Sequence, residues 1–217
     1  VCVRYGVPGG SKVSCEMLDK AEGSMVLAGA STPTWVMPNA DAQGYYRFGM
    51  TKAGLAALGK QIGSLADTEQ LAYADAVGAS FRHGDIDAAD ALTALKPLAA
   101  SKTDDVATAP LNTFGWIWRN LASTDAERAK LVAWAKDAYL PRMQVLGYHR
   151  KAGEADGDSL MRSTLAEFLG MDVKLPDVRA ELLKQGDAVM KPKADGSLDF
   201  AAADPDLLGV QIGRAHV

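Results

Sequence analysis

Trp35-Val36-Met37-Pro38-Asn39-Ala40-Asp41-Ala42-Gln43-Gly44-Tyr45-Tyr46-Arg47 reads as two extended runs around a turn at Pro38-Asn39-Ala40-Asp41. Thr34 to Met37 and Gly44 to Gly49 are the strand candidates on either side. From Thr51 onward the apolar period becomes helical. The block is thus a junction, with β-like sequence before it and helix-forming sequence after it.

Upstream, Val1 to Tyr5 and Lys12 to Leu18 are rich in β-branched and aromatic residues and flank Val7-Pro8-Gly9-Gly10, so they read as a hairpin. Ser24 to Leu27 is a further strand candidate. If the turn centres on Pro8-Gly9, Cys2 faces Cys15 across the hairpin, the only two cysteines in the chain. Two readings stand: a disulfide, which implies an oxidising compartment, or two apolar thiols. A bond favours an exported protein, periplasmic or extracellular; free thiols favour a cytoplasmic one. So few strands make only part of a sandwich.

Downstream, Leu55 and Leu58 share one stripe, and Leu71, Ala74, Gly78 and Phe81 another, before His83-Gly84-Asp85 ends the helix. Ala89, Leu92 and Leu95 continue the pattern. Ser101 and Thr103 offer caps for a helix through Trp116 to Leu121, and Thr124 with Glu127 has capping-box spacing. Pro141 is expected to kink or end that helix. Helices follow at Ser159 to Leu169, from Pro176-Asp177, and at Asp204-Pro205-Asp206. Short antiparallel helices without a heptad seam suggest a helical-pair superhelix of the HEAT or armadillo kind. The expected fold class is mainly α, preceded by part of a β-sandwich. The expected division is 1–50 for the β part and 51–211 for the helical part.

The last six residues, Ile212 to Val217, are what ATC GGA AGA GCA CAC GTC encodes, the start of a common sequencing adapter. Residues 212–217 are therefore expected to be an assembly artefact, and His216 is given no role; a genuine tail is the alternative. At the other end, the chain opens inside a strand pattern, so its beginning reads as cut.

The chain has 217 residues, 48% of them hydrophobic, a net charge of -4 and scattered basic residues. That gives no electrostatic footprint for nucleic acid. Apolar runs such as Ser24 to Ala30 fall well short of the roughly 20 residues that span a bilayer, so no membrane-spanning segment is read. A hydrolytic zinc site needs about three close ligands, yet His83 and His149 are far apart and no His-Glu-x-x-His occurs. No catalytic, cofactor or metal residue is assigned. Asp75 beside its apolar stripe reads as a structural acceptor for backbone amides or an Arg of the neighbouring helix, with a catalytic role as the alternative. Trp116, Trp118 and Trp134 read as core rather than a stacking platform.

Three blocks resemble the aminopeptidase N type of zinc metallopeptidase, which includes the puromycin-sensitive and endoplasmic-reticulum aminopeptidases. The first is Trp35-Val36-Met37-Pro38-Asn39 through Gly44-Tyr45-Tyr46-Arg47; the second is Leu146-Gly147-Tyr148 with Lys151, Gly153, Glu154, Leu160 and Arg162. The third is Cys2-Val3-Arg4-Tyr5 with Cys15-Glu16-Met17-Leu18. The first looks like the passage from that family's β-domain into its C-terminal helical domain.

The resemblance implies a parent enzyme that uses zinc to remove N-terminal residues from peptides. The family's His-Glu-x-x-His and Gly-x-Met-Glu-Asn motifs lie N-terminal to everything present, so none of its catalytic residues carries over, and this piece alone is expected to be inactive. What carries over is structural: Trp35, Asn39, Gly44, Tyr45, Tyr46, Arg47, Asp75, Gly153, Glu154 and Arg162. The implied partners are peptide substrate, through the parent enzyme, and the catalytic domain of the same chain. Family members often carry an Arg before the helix of Asp75; here the chain reads Glu69-Gln70-Leu71, so a buried Arg–Asp pair is not transferred. The competing reading is a free-standing helical-repeat interaction module with a β-cap.

Overall fold

The computed structural model describes residues 1–30, 32–202 and 204–214, with the backbone alone over 212–214. The expectation about 212–217 therefore falls largely outside the described residues, and His216 wholly so. The fold is mainly helical, preceded by a three-stranded antiparallel sheet. The chain forms two compact units, Val1–Ile117 and Trp118–Val217.

In the first unit, β1 (Cys2–Val7) and β2 (Gly10–Cys15) form the hairpin, in register Cys2 to Cys15 and Tyr5 to Lys12. β3 (Val36–Met37) pairs with the other side of β1, setting the order β2-β1-β3. Neither Ser24 to Leu27 nor Gly44 to Gly49 is a strand. A short run needs a ladder partner to hold it extended. The first finds none, and the second is bent back by hydrogen bonds from the side chain of Asn39 to the backbone of Gly44.

Helices α1 (Lys52–Gly59), α2 (Asp67–His83), α3 (Ala88–Leu95), α4 (Asp104–Thr108) and α5 (Pro110–Asn120) follow. Thr51 caps α1 by accepting from Gly54, and Asp87 caps α3 by accepting from Asp90. α2 ends at Gly84, whose φ of 92° suits glycine. Leu58, Tyr73, Val77, Leu95 and Leu98 form a core with 1% exposure or less. Each contributes on the order of 1.5–3 kcal/mol by leaving water, for the aliphatic side chains. Tyr73 also donates to the carbonyl of Ala94 at 3.2 Å, tying α2 to α3 and satisfying a buried hydroxyl.

In the second unit, α6 (Asp125–Leu146) begins with the capping box of Thr124 and Glu127. It does not end at Pro141 but continues to Leu146. Pro141 supplies no N–H to the carbonyl of Asp137, but both residues are exposed, where solvent can reach the backbone. The buried face is Leu131, Ala135, Tyr139, Met143 and Leu146. α7 (Asp156–Glu167) passes into a π-helical turn over Phe168–Asp172, and α8 (Pro176–Met190) has proline in its first turn. A π-helical segment over Gly209–Arg214 follows the turn at Asp204, where an α-helix start was expected.

None of the three tryptophans expected in the core is fully buried. Trp116 is 37% exposed and meets Phe81 edge-on, while Trp118 and Trp134 are half-buried. Arg128 covers the ring of Trp118, and Trp134 meets Tyr139 edge-on. Their helical spacing puts them at the border of the apolar stripe, so each keeps some exposure.

Candidate functional site

The junction block folds onto itself. Asn39, 4% exposed, donates to the carbonyl of Gly44 at 2.8 Å and accepts from its amide at 2.9 Å. Tyr46 then turns back and donates to the carbonyl of Pro38 at 2.7 Å. A Cβ on Gly44 would stand 2.0 Å from the Tyr46 ring, so only glycine leaves room for it. Burial raises the Tyr46 pKa, opposed by a hydrogen bond from the Cys2 backbone. Tyr45 instead points into solvent. Trp35 packs on Gly6, where a Cβ would meet its Nε1 at 2.4 Å, and its carbonyl accepts from the Gly6 amide.

Arg47 donates from Nε to Asp75 at 2.8 Å and from Nη2 at 3.3 Å. Asp75 thus takes an Arg as acceptor, from the loop before α1 rather than from a neighbouring helix. Both side chains are more than half exposed, so the pair adds little stability. Its hydrogen bond and charge raise the Arg47 pKa.

A part-buried ion pair of this unit lies elsewhere. Glu69, 1% exposed, accepts from Arg4 Nε at 2.8 Å, the Asp41 amide at 2.9 Å and the Ala66 amide at 3.3 Å. Arg4 reaches Asp41 as well, at 2.6 Å, and Glu69 first, then Asp41, raises its pKa. Sequence reasoning marked Glu69 only as a departure from the family pattern. The missed signal is its position three residues after Ala66, where a carboxylate reaches back to the helix start. Cys2 and Cys15 face each other in β1 and β2 and are joined as a disulfide.

The second unit carries a separate cluster. Gly153, in a left-handed conformation, precedes Glu154 in the polar loop before α7. Arg162 on α7 is wholly buried and donates from Nη2 to Glu154, whose side chain is 5% exposed. Asp204 lies 3.6 Å from the Nη1 of Arg162 and accepts from the amides of Arg150 and Asp206. The Arg162 guanidinium, foremost, and the Lys151 amide hold the Glu154 carboxyl at about 2. Nε and Nη1 of Arg162 make no hydrogen bond among the described residues. Asp206 adds contacts to Ser159 and Ser163. Gly153, Glu154 and Arg162 are thus brought together, and Asp204 completes them; Asp204-Pro205 carried only a helix-start signal in the sequence.

These groups can clamp loops and bear charge, but they do not amount to a zinc site. Among the described residues no three His, Cys, Asp or Glu side chains converge as a metal-binding group. His83 is engaged by Asp85 at 2.9 Å, which raises its pKa. No helix among the described residues is long and apolar enough to cross a membrane.

No curated protein sequence matches the chain. A family model described as ERAP1-like C-terminal domain matches residues 35–216, beginning at Trp35 in the junction block and taking in the Glu154–Arg162 cluster. A match over that share of the chain, on a mainly helical fold, shows that the chain belongs to the ERAP1-like C-terminal domain family.

Proposed function

We propose that this chain is part of a zinc aminopeptidase, and that its helical residues 51–211 help enclose the peptide and dock on the catalytic domain of the same protein. The single observation that carries the reading is the family match from Trp35 onward. Residues 1–50 are read as the adjoining part of the β-domain, the match itself beginning within them at Trp35. The physical rationale is that packed helical pairs offer an extended inner surface, and an enclosed chamber admits flexible peptides while keeping folded proteins out. Zinc and the hydrolytic step belong to the catalytic domain. The tie between Arg47 and Asp75 and the Asn39–Gly44 clamp fix the passage between β and helical parts. The disulfide between Cys2 and Cys15 supports an oxidising compartment.

The test is photo-crosslinking in the full-length parent with a peptide substrate carrying a photoreactive side chain. The expected result is labelling within residues 51–211 that excess unlabelled peptide suppresses. Labelling confined to other parts of the protein would overturn the enclosure role.

A further inference from the structure

We propose that a cleft in the first unit, beside Trp35, binds a small organic monocarboxylate with a short apolar body. The cleft has a volume of about 740 Å³ and lies between the hairpin, the Trp35 segment and the start of α2. That volume falls within the roughly 300–1,000 Å³ typical of small-molecule sites. Among its lining residues are Arg4, Trp35, Lys60, Gln61, Leu65 and Glu69.

The charged hydrogen-bonding capacity left free there is donor, beside the neutral hydroxyls of Ser11, Thr34 and Ser64. Glu69, the one carboxylate of the lining, is already committed through both oxygens to Arg4, Asp41 and Ala66. Arg4 uses Nε and Nη2 in its ion pairs and leaves Nη1. The side chains of Lys60 and Gln61 have no hydrogen bond or ion pair among the described residues. An acceptor-rich ligand therefore suits the cleft better than a donor-rich one. Charge sets the class: in the lining Arg4 and Lys60 outnumber Glu69 by one, and Asp41 lies outside it with its side chain 53% exposed, so one added carboxylate is matched and a phosphate dianion is not. Leu65 and the indole of Trp35, seated on Gly6, offer apolar surface for a short body. This site is independent of the proposed peptide-enclosing role.

Calorimetric titration of the 217-residue chain with 4-phenylbutyrate tests the assignment. Saturable binding of one molecule per chain is expected, weakened by about tenfold or more for the neutral 4-phenylbutyramide and for inorganic phosphate, as loss of a charge-assisted hydrogen bond implies. Lys60→Gln should weaken it to a similar degree, and Gln61→Glu should abolish it. Lys60 is exposed and unpaired among the described residues, so its variant should keep the melting temperature of the parent chain. No saturable heat, equal binding of the amide or of phosphate, or undiminished binding by a folded Lys60→Gln chain would each overturn the proposal.

Discussion

Arg162 and Glu154 form a buried ion pair across eight residues of sequence, joining α7 to the polar loop that precedes it. The same guanidinium faces Asp204, so one cation holds the loop before α7 and the segment after α8. Arg162→Met should destabilise the second unit by about 3–5 kcal/mol, because it leaves buried carboxylates without their cation. Urea unfolding followed by circular dichroism reads the change. A loss near zero would mean that water already serves those carboxylates.

Acid sensitivity follows from the same pair. The Glu154 carboxyl is held at about 2 in the folded chain, against 4.5 ordinarily, so its contribution is complete above 4.5 and lost as pH falls toward about 2. The difference in melting temperature between the parent chain and Glu154→Gln should therefore be largest near neutrality and shrink across that window. A difference that stays constant with pH would show that ionisation of Glu154 does not stabilise the fold.

Gly44→Ala should unseat Tyr46. The new methyl would stand 2.0 Å from the ring, which must swing away and give up its bond to the carbonyl of Pro38. A cost of about 1–3 kcal/mol is expected, as for other overpacked sites. The Tyr46 ring resonances in NMR should shift toward solvent-exposed values; unchanged resonances with unchanged stability would contradict the packing.

How far the sequence foretold these arrangements depends on whether the signal was local. Gly84 as a helix stop, Pro176 in a first turn and the Thr124–Glu127 capping box are read within a few residues and appear in the structure. The Cys2–Cys15 register followed from turn arithmetic, another local rule. Strands at Ser24 and Gly44 failed because β-structure needs a partner that composition does not reveal. Helix α6 continued past Pro141 because the affected carbonyl is on the wet face, which propensity does not encode. Arg4 with Glu69 is 65 residues apart in sequence, and Arg162 with Asp204 also joins distant segments, so neither pairing left a spacing to read.

The capping box itself offers a calibrated check. Thr124→Ala removes the oxygen that accepts from the Glu127 amide at 3.2 Å and should cost about 1 kcal/mol. Glu127, whose pKa the Thr124 and Ser123 hydrogen bonds lower, should then titrate closer to the ordinary carboxylate value. An unaltered Glu127 titration would mean that the backbone amide of residue 124, which the variant keeps, and Ser123 suffice to hold the carboxylate.

Sequencing the genomic DNA upstream of Val1, in the same reading frame, tests the assignment to a zinc aminopeptidase most directly. The expected result is an open frame encoding His-Glu-x-x-His, preceded by Gly-x-Met-Glu-Asn. A start codon with a ribosome-binding signal immediately before Val1 would contradict it.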